Sequence, residues 1–366
     1  MLIKKRFLNT KVKILTGIMA TGLIIGGSLL TLPTAQAKNT VSDDYPLNDS
    51  INWNLNPVWR DEFNGTSLDS KSWNIYSSGW GANNVQSCYS RSEENVNVKN
   101  GSLNLVGLYK PGARCKGNEK SGNFTSGFVE TKGKKSWTYG YIEARIKMPN
   151  NKSTWPAFWM SPNESTYGSW PRSGEIDIVE TKGSNLDYAA ADAHWGISPG
   201  YKKHAQGKKL PAGFKDTTQW HTYGVKWTEG KLEYFIDGEL HHTITEFKNS
   251  NSTGSPNGPF DQDFFLRLNL AIGGNYIDAP WDDPINSVGA TNGEGFPATM
   301  SVDYVRVYEM RKPKEVEVKD TELRKLLNEK LGEKFGTTRT ENQKITDVEL
   351  EKLTDLNLDA TDSASE

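Results

Sequence analysis

The sequence predicts an all-β fold, a sandwich of two sheets, followed by a short α-rich C-terminal tail. Three observations predict it. Between about residues 50 and 310, short runs that alternate apolar and polar residues are separated by Gly, Asn, Asp and Pro, and helix-favouring runs are few. Aromatic residues are abundant, with 12 Trp, 14 Tyr and 13 Phe in 366 residues, enough to fill a large core between facing sheets. All the Trp lie between Trp53 and Trp281, whereas residues 311–366 hold a single aromatic, Phe335. The net charge of −2 gives no reason to invoke nucleic acid or an anionic membrane as a partner.

The first 37 residues read as a secretory signal peptide outside the fold. They have a basic start, an apolar run from Ile14 to Leu32 and Ala-Gln-Ala at 35–37, with cleavage expected after Ala37. A membrane anchor is the alternative, and the Gly and Thr in the run, with the cleavage pattern directly behind it, weigh against that. The mature chain is then expected outside the cytoplasm, secreted or at a bacterial cell surface, with no membrane partner once the signal is removed. Cys88 and Cys115 can form a disulfide in that setting.

Residues 38–52 read as an N-terminal linker, 53–310 as the main domain and 311–320, RKPKEVEVKD, as a charged linker. In the main domain, GYIEARIKM at 140–148 is a strand. HTYGVKWTEGKLEYFIDGELHHTIT reads as three strands joined by turns at Glu229-Gly230 and Asp237-Gly238, and MSVDYVRVYEM is a last alternating strand. In the tail, TELRKLLNEKL places Leu323, Leu326, Leu327 and Leu331 on one helical stripe. LEKLTDLNLDA spaces Leu350, Leu353, Leu356 and Leu358 in the manner of a leucine-rich repeat. Residues 321–366 thus resemble the helical cap and first repeat of bacterial surface leucine-rich proteins. One repeat cannot bury its own apolar face, so this segment is read as a truncated array and is expected to pack poorly.

GEIDIVE at 174–180 reads as a strand that breaks its own alternation. Glu175 and Asp177 share one face, Ile176 and Ile178 the other, and strict alternation would send Glu180 to the apolar side. A lone carboxylate in a core is costly. A β-bulge at the Ile178–Val179 level absorbs one residue and returns Glu180 to the face of Glu175; bulges often re-aim side chains beside active sites. Two carboxyls on one face are what a retaining glycosidase needs, about 5–5.5 Å apart, one as nucleophile and one as acid/base. In the neighbouring TWPAFWMSP, Trp155 and Trp159 share a face with the small Ala157 between them, while Phe158 and Met160 take the other. Exposed indoles suit stacking on the apolar C–H face of a sugar ring.

GEIDIVE matches the E-x-D-x-x-E signature of glycoside hydrolase family 16. WPAFWM, WHTYGVKWTEGKLEYFIDG, LRLNLAIGG and FPATMSVDYVRVYE resemble successive blocks of its laminarinase branch, the endo-β-1,3-glucanases, over about residues 55–309. The resemblance implies a β-jelly-roll sandwich with a long substrate cleft on its concave face, and endo-acting hydrolysis with retention. It implies Glu175 as nucleophile, Glu180 as acid/base and Asp177 between them. The bulged signature is shared with galactan-cleaving members such as agarases; the unbulged E-x-D-x-E of lichenases and xyloglucan enzymes is absent. His194, in AHWG, matches the family's histidine on the next strand and is expected to hydrogen-bond within the acid cluster. His221 is expected in the framework, and His241 and His242 in solvent.

The segment NNVQSCYSRSEENV departs from the glucanase pattern. Asn83, Asn84 and Arg91 can be matched, but the glucanase Glu has no clear counterpart. β-1,3-Glucan therefore leads as substrate, with a β-galactoside polymer as the rival. Asn83, Arg91 and Trp170 join Trp155, Trp159 and His194 as substrate-binding candidates. No cofactor is required for the chemistry. A structural calcium is implied by the resemblance, with Glu62, the Gly101 carbonyl and Asp303 as hard oxygen ligands. A non-catalytic glucan-binding module is the competing class, and such a module needs no set of three acids. The enzyme is expected as a monomer acting on a polysaccharide.

Overall fold

Strands β1 (Trp59–Asp61), β2 (Asn74–Ile75), β3 (Ser87–Tyr89), β4 (Val96–Lys99), β5 (Ser102–Arg114) and β6 (Ser121–Ser126) come first in the chain. Then follow β7 (Phe128–Glu130), β8 (Gly140–Lys147), β9 (Thr154–Pro162), β10 (Glu175–Lys182), β11 (Asn185–Ile197) and β12 (Gly200–Lys209). The domain closes with β13 (His221–Thr228), β14 (Lys231–Ile236), β15 (Glu239–Ile244), β16 (Phe264–Ile272) and β17 (Ala298–Tyr308). This computed structural model describes residues 53, 56–77, 83, 85–114, 121–197, 200–210, 214–247, 254–277, 295–310, 314–351 and 353. The expected signal peptide and linker at 1–52, Asn84, Cys115 and residues 354–366 lie outside them.

The strands form two sheets. One has the order β15-β14-β13-β8-β17-β5-β6-β3, with β1 beside β17 and β4 beside β5; the other has the order β12-β11-β10-β9-β16-β7-β2. This is the expected jelly-roll sandwich. Alternation sends one face of each strand into a shared core. Ile142, Ala144, Ile146, Val225, Trp227, Val305 and Val307 from the first sheet meet Phe158, Met160, Ile176, Leu266, Leu268 and Leu270 from the second. Burying each large apolar side chain contributes about 1.5–3 kcal/mol.

The predicted strand-turn-strand run is present as β13, β14 and β15, and Gly230, Asp237 and Gly238 adopt the positive φ that their tight turns require. His221 has its framework role: its Nδ1 lies 2.6 Å from Oδ2 of Asp237 in the β14–β15 turn. His241 and His242 are not in solvent. They are 8% and 7% exposed, while Leu240 is 56% exposed. The cause is a register shift, because Tyr234 pairs with His242 and Phe235 with Leu240, which leaves His241 as an extra residue. Both imidazoles then turn inward, His242 stacked 4.7 Å from the Tyr234 ring.

The described part of the tail forms a capped helix and a small apolar cluster. Helix α1 (Thr321–Phe335) is capped by the Asp320 side chain at its start and by Gly336 in the left-handed conformation at its end. Leu327 and Leu331 are buried with Ile345 in a small separate cluster. Arg339 pairs with Glu349, and Val316 donates to the Ile345 carbonyl, so part of the expected charged linker is tied into the tail. Leu323, from the same stripe, stays exposed. No helix among the described residues is long and apolar enough to cross a membrane.

Candidate active site

The second sheet carries the acids on its outer face, and the strand register shows how. Glu175 faces His194 and Asp177 faces Asp192, but Glu180 faces Ala190. Three residues of β10 thus span two of β11. On the other side Asp177 pairs with Trp159, Val179 with Phe158 and Glu180 with Ala157. Ile178 and Val179 are consecutive, yet both are buried in the core. This is the expected bulge at the expected level. It brings Glu180 back to the side of Asp177.

The carboxyls converge. One donor or acceptor atom from each of Glu175, Asp177 and His194 lies within 4.8 Å of the other two, and the same holds for Asp177, Glu180 and Asp192. His194 Nε2 is 3.2 Å from Asp177, 3.5 Å from Asp192 and 3.6 Å from Glu175. Burial, reinforced by the negative charge of Asp177 and then of Glu180, pushes Glu175 up to about 8, against the pull of His194 and Arg267. The cluster therefore holds a proton in the neutral range.

The indoles behave differently from exposed platforms. Trp155 stacks on Tyr276 at 4.9 Å and donates from Nε1 to Glu180 Oε1 at 2.8 Å. Trp159 donates to Asn269 Oδ1 at 2.7 Å, and the Arg267 guanidinium lies 4.6 Å from its ring centre. Both are half-buried. Trp170 is the exposed one, at 59%, and its ring lies 5.7 Å from that of His194. Gly274 is needed beside Trp155, since a Cβ there would stand 3.2 Å from the indole and 3.1 Å from the Asn83 carbonyl. Asn83 thus borders the site through its backbone. Arg91 is exposed after β3, and the described hydrogen bonds and ion pairs do not join it to the acids.

Asp192, Asn269, Arg267 and Tyr276 escaped the sequence reading. The first had a signal: Asp192 is two residues from His194, hence on its face. Arg267 and Asn269 alternate in LRLNL in the same way.

Trp155→Phe keeps the stacked ring and removes the donor to Glu180. Hydrogen bonds to charged groups are worth about 1.5–3 kcal/mol. We expect kcat to fall roughly 10–100-fold, with thermal stability little changed. Steady-state kinetics beside a melting curve check this, and an unchanged kcat would mean that the indole does not orient Glu180.

The expected calcium ligands do not fit an ion. Both oxygens of Glu62 accept from Arg306, at 2.8 and 2.9 Å, and Asp303 Oδ2 accepts from Arg145 at 2.9 Å. Gly101 lies in the β4–β5 turn, with positive φ. A guanidinium already pairs with each acid, which lowers the negative charge the set offers a divalent ion. Cys88, buried on β3, is disulfide-bonded.

Known proteins resemble the chain over this same region. A glucan endo-1,3-beta-glucosidase A1 of Niallia circulans is 32% identical over 78% of this chain, which spans 42% of that relative's length. A keratan-sulfate endo-1,4-beta-galactosidase of Sphingobacterium multivorum is 32% identical over 69% of this chain and 55% of its own. The X-ray structure of the laminarinase from Rhodothermus marinus superposes with a TM-score of 0.59 at 33% identity, covering 71% of this chain and 98% of that one. The family model described as beta-porphyranase A-D, GH16 domain, matches residues 53–310, and with the bulged acid strand in place the chain belongs to glycoside hydrolase family 16.

Proposed function

We propose that this chain is a secreted, endo-acting, retaining glycosidase that cuts internal β-linkages of a polysaccharide, with β-1,3-glucan as the leading substrate. Glu175 is the nucleophile and Glu180 the acid/base. Asp177 lies between them and tunes the charge of Glu175. The observation that carries the reading is the bulge, which gathers three acids on one outer face beside Trp155, Trp159 and the exposed Trp170. A module that only binds glucan needs no such gathering. The signal-like first 37 residues and the bonded Cys88 support an extracytoplasmic setting. The laminarinase and glucosidase relatives support the glucan.

A second reading, a β-galactan substrate, is favoured by the altered NNVQSCYSRSEENV segment, whose Tyr89 hydroxyl accepts from Asn269 at 3.3 Å, directly behind Trp159. Incubation of the purified chain with laminarin, lichenan, agarose and keratan-type glycans separates the two. Laminarin cut to mid-length products that are first released as the β-anomer is the expected result. Cleavage of agarose or keratan-type chains alone would favour the galactan reading, and no cleavage of any would overturn the hydrolase.

A further inference from the structure

We propose that Asp192 is a fourth carboxylate of the catalytic cluster, a positioning residue that with His194 fixes where the acid proton rests. The inference rests on the glycosidase reading above. Asp192 is 1% exposed and is the register partner of Asp177. One of its oxygens lies within 4.8 Å of oxygens of Asp177 and Glu180, and Oδ2 is 3.5 Å from His194 Nε2. Its Oδ1 accepts from the Ala193 N–H at 2.8 Å. Its carbonyl accepts from the Tyr234 hydroxyl, reaching across from β14 of the opposite sheet, at 2.8 Å. The backbone of Asp192 is thus tied to the opposite sheet, and its carboxylate is held by its own strand and lies against the cluster.

Structural duty alone does not call for an acid here. The inward-facing residues on either side of it, Ala191 and Ala193, are apolar and buried, and an amide or hydroxyl would accept the same Ala193 N–H. Burying a carboxylate is costly unless it interacts with partners. The groups facing it are Asp177 and Glu180 on β10, with Glu175 beside Asp177, His194 on β11, and Tyr234 on β14 with His242 stacked behind it. Tyr276 approaches from the β16 side, and β12 places Ala205 opposite in the register. Negative charge dominates that set.

Carboxylates this close cannot all ionise at neutral pH. An ionised Asp192 makes Glu180 a weaker acid and a stronger base. In the first step the Glu180 proton passes to the glycosidic oxygen as the C–O bond breaks and a Glu175 oxygen bonds to the anomeric carbon. In the second, water attacks that carbon, its proton passes to Glu180, and the bond to Glu175 breaks. Asp192 exchanges no atom in either step. Its charge keeps the proton on Glu180 to higher pH and aids the second step.

Asp192→Asn removes the charge and keeps the Oδ1 acceptor. On laminarin, or whichever panel polymer the wild type cuts, the alkaline limb of kcat/KM should move down by about one pH unit. At pH 8 kcat should fall roughly tenfold with KM within about twofold, and the loss should shrink towards pH 5. Asp192→Glu should restore the limb. If Asp192→Asn does not fold, Asp192→Ser keeps an oxygen near the Ala193 N–H and should show the same shift. An unmoved limb, or a loss equal at every pH, would make Asp192 structural and overturn the proposal. Should the wild type cut nothing in the panel, the glycosidase reading fails by itself. An infrared titration of the carboxyl bands, wild type against Asp192→Asn, then tests the proton placement without substrate, and identical curves would overturn it.

Discussion

Glu175→Gln is expected to abolish turnover and, at alkaline pH, to make the protein more stable. An amide forms no glycosyl ester, so the covalent route closes. The loss should be roughly 10³–10⁶-fold, as when other nucleophiles are removed. The stability change follows from the environment of the carboxyl. Burial first, and the Asp177 charge next, raise Glu175 from 4.5 to about 8. Between those values the folded chain binds a proton that the unfolded chain has released, so folding takes up a proton. Wild-type stability therefore falls as pH rises from about 4.5 to about 8. Gln does not titrate and escapes that fall. Since the Glu175 side chain is 19% exposed, the gain above pH 8 should be roughly 1–3 kcal/mol, or about 3–10 °C in Tm. Near pH 4.5 the gain should nearly vanish. Melting curves of both proteins at pH 4.5 and 8.5 test it. A gain of equal size at both would mean that burial and charge at Glu175 are not its source.

The acid strand shows what kind of information the sequence carries. Alternation is a local rule, and its violation at Glu180 was visible in seven letters, so the bulge and its level followed from GEIDIVE alone. The same rule placed Phe158 and Met160 in the core, and the turn glycines of β13–β15 were equally local. What the rule cannot supply is the partner across a strand or a sheet. Arg267 over Trp159, Tyr276 against Trp155 and Arg306 on Glu62 each join residues more than 100 positions apart. They decide which indole stays open and which acids are already paired. His241 and His242 failed for a related reason. Their inward turn comes from a second bulge with no acid to betray it. The tail's packing was also non-local, since Leu331 is covered by Ile345 from beyond the turn after α1.

Glu180→Ala should nearly stop cleavage of the polysaccharide and yet leave an enzyme that azide can revive. A sugar hydroxyl is a poor leaving group and needs the proton of the acid/base. An aryl glycoside of the matching sugar has a good leaving group, so its first step should survive better. The ester on Glu175 then waits, because no base remains to activate water. Azide needs no base. It should restore turnover on the aryl glycoside and give a β-glycosyl azide, with configuration retained after two displacements. Glu175→Ala should behave in the opposite way: azide enters the space left by the nucleophile and gives the α-linked product after one displacement. The comparison matters here because burial raises Glu175 to about 8, which alone would favour Glu175 as the acid, while the order of the motif assigns it as the nucleophile. The anomeric proton coupling of each product, read by NMR, separates the two. An α-azide from Glu180→Ala would reverse the roles, and the absence of rescue in both variants would remove the double-displacement assignment altogether.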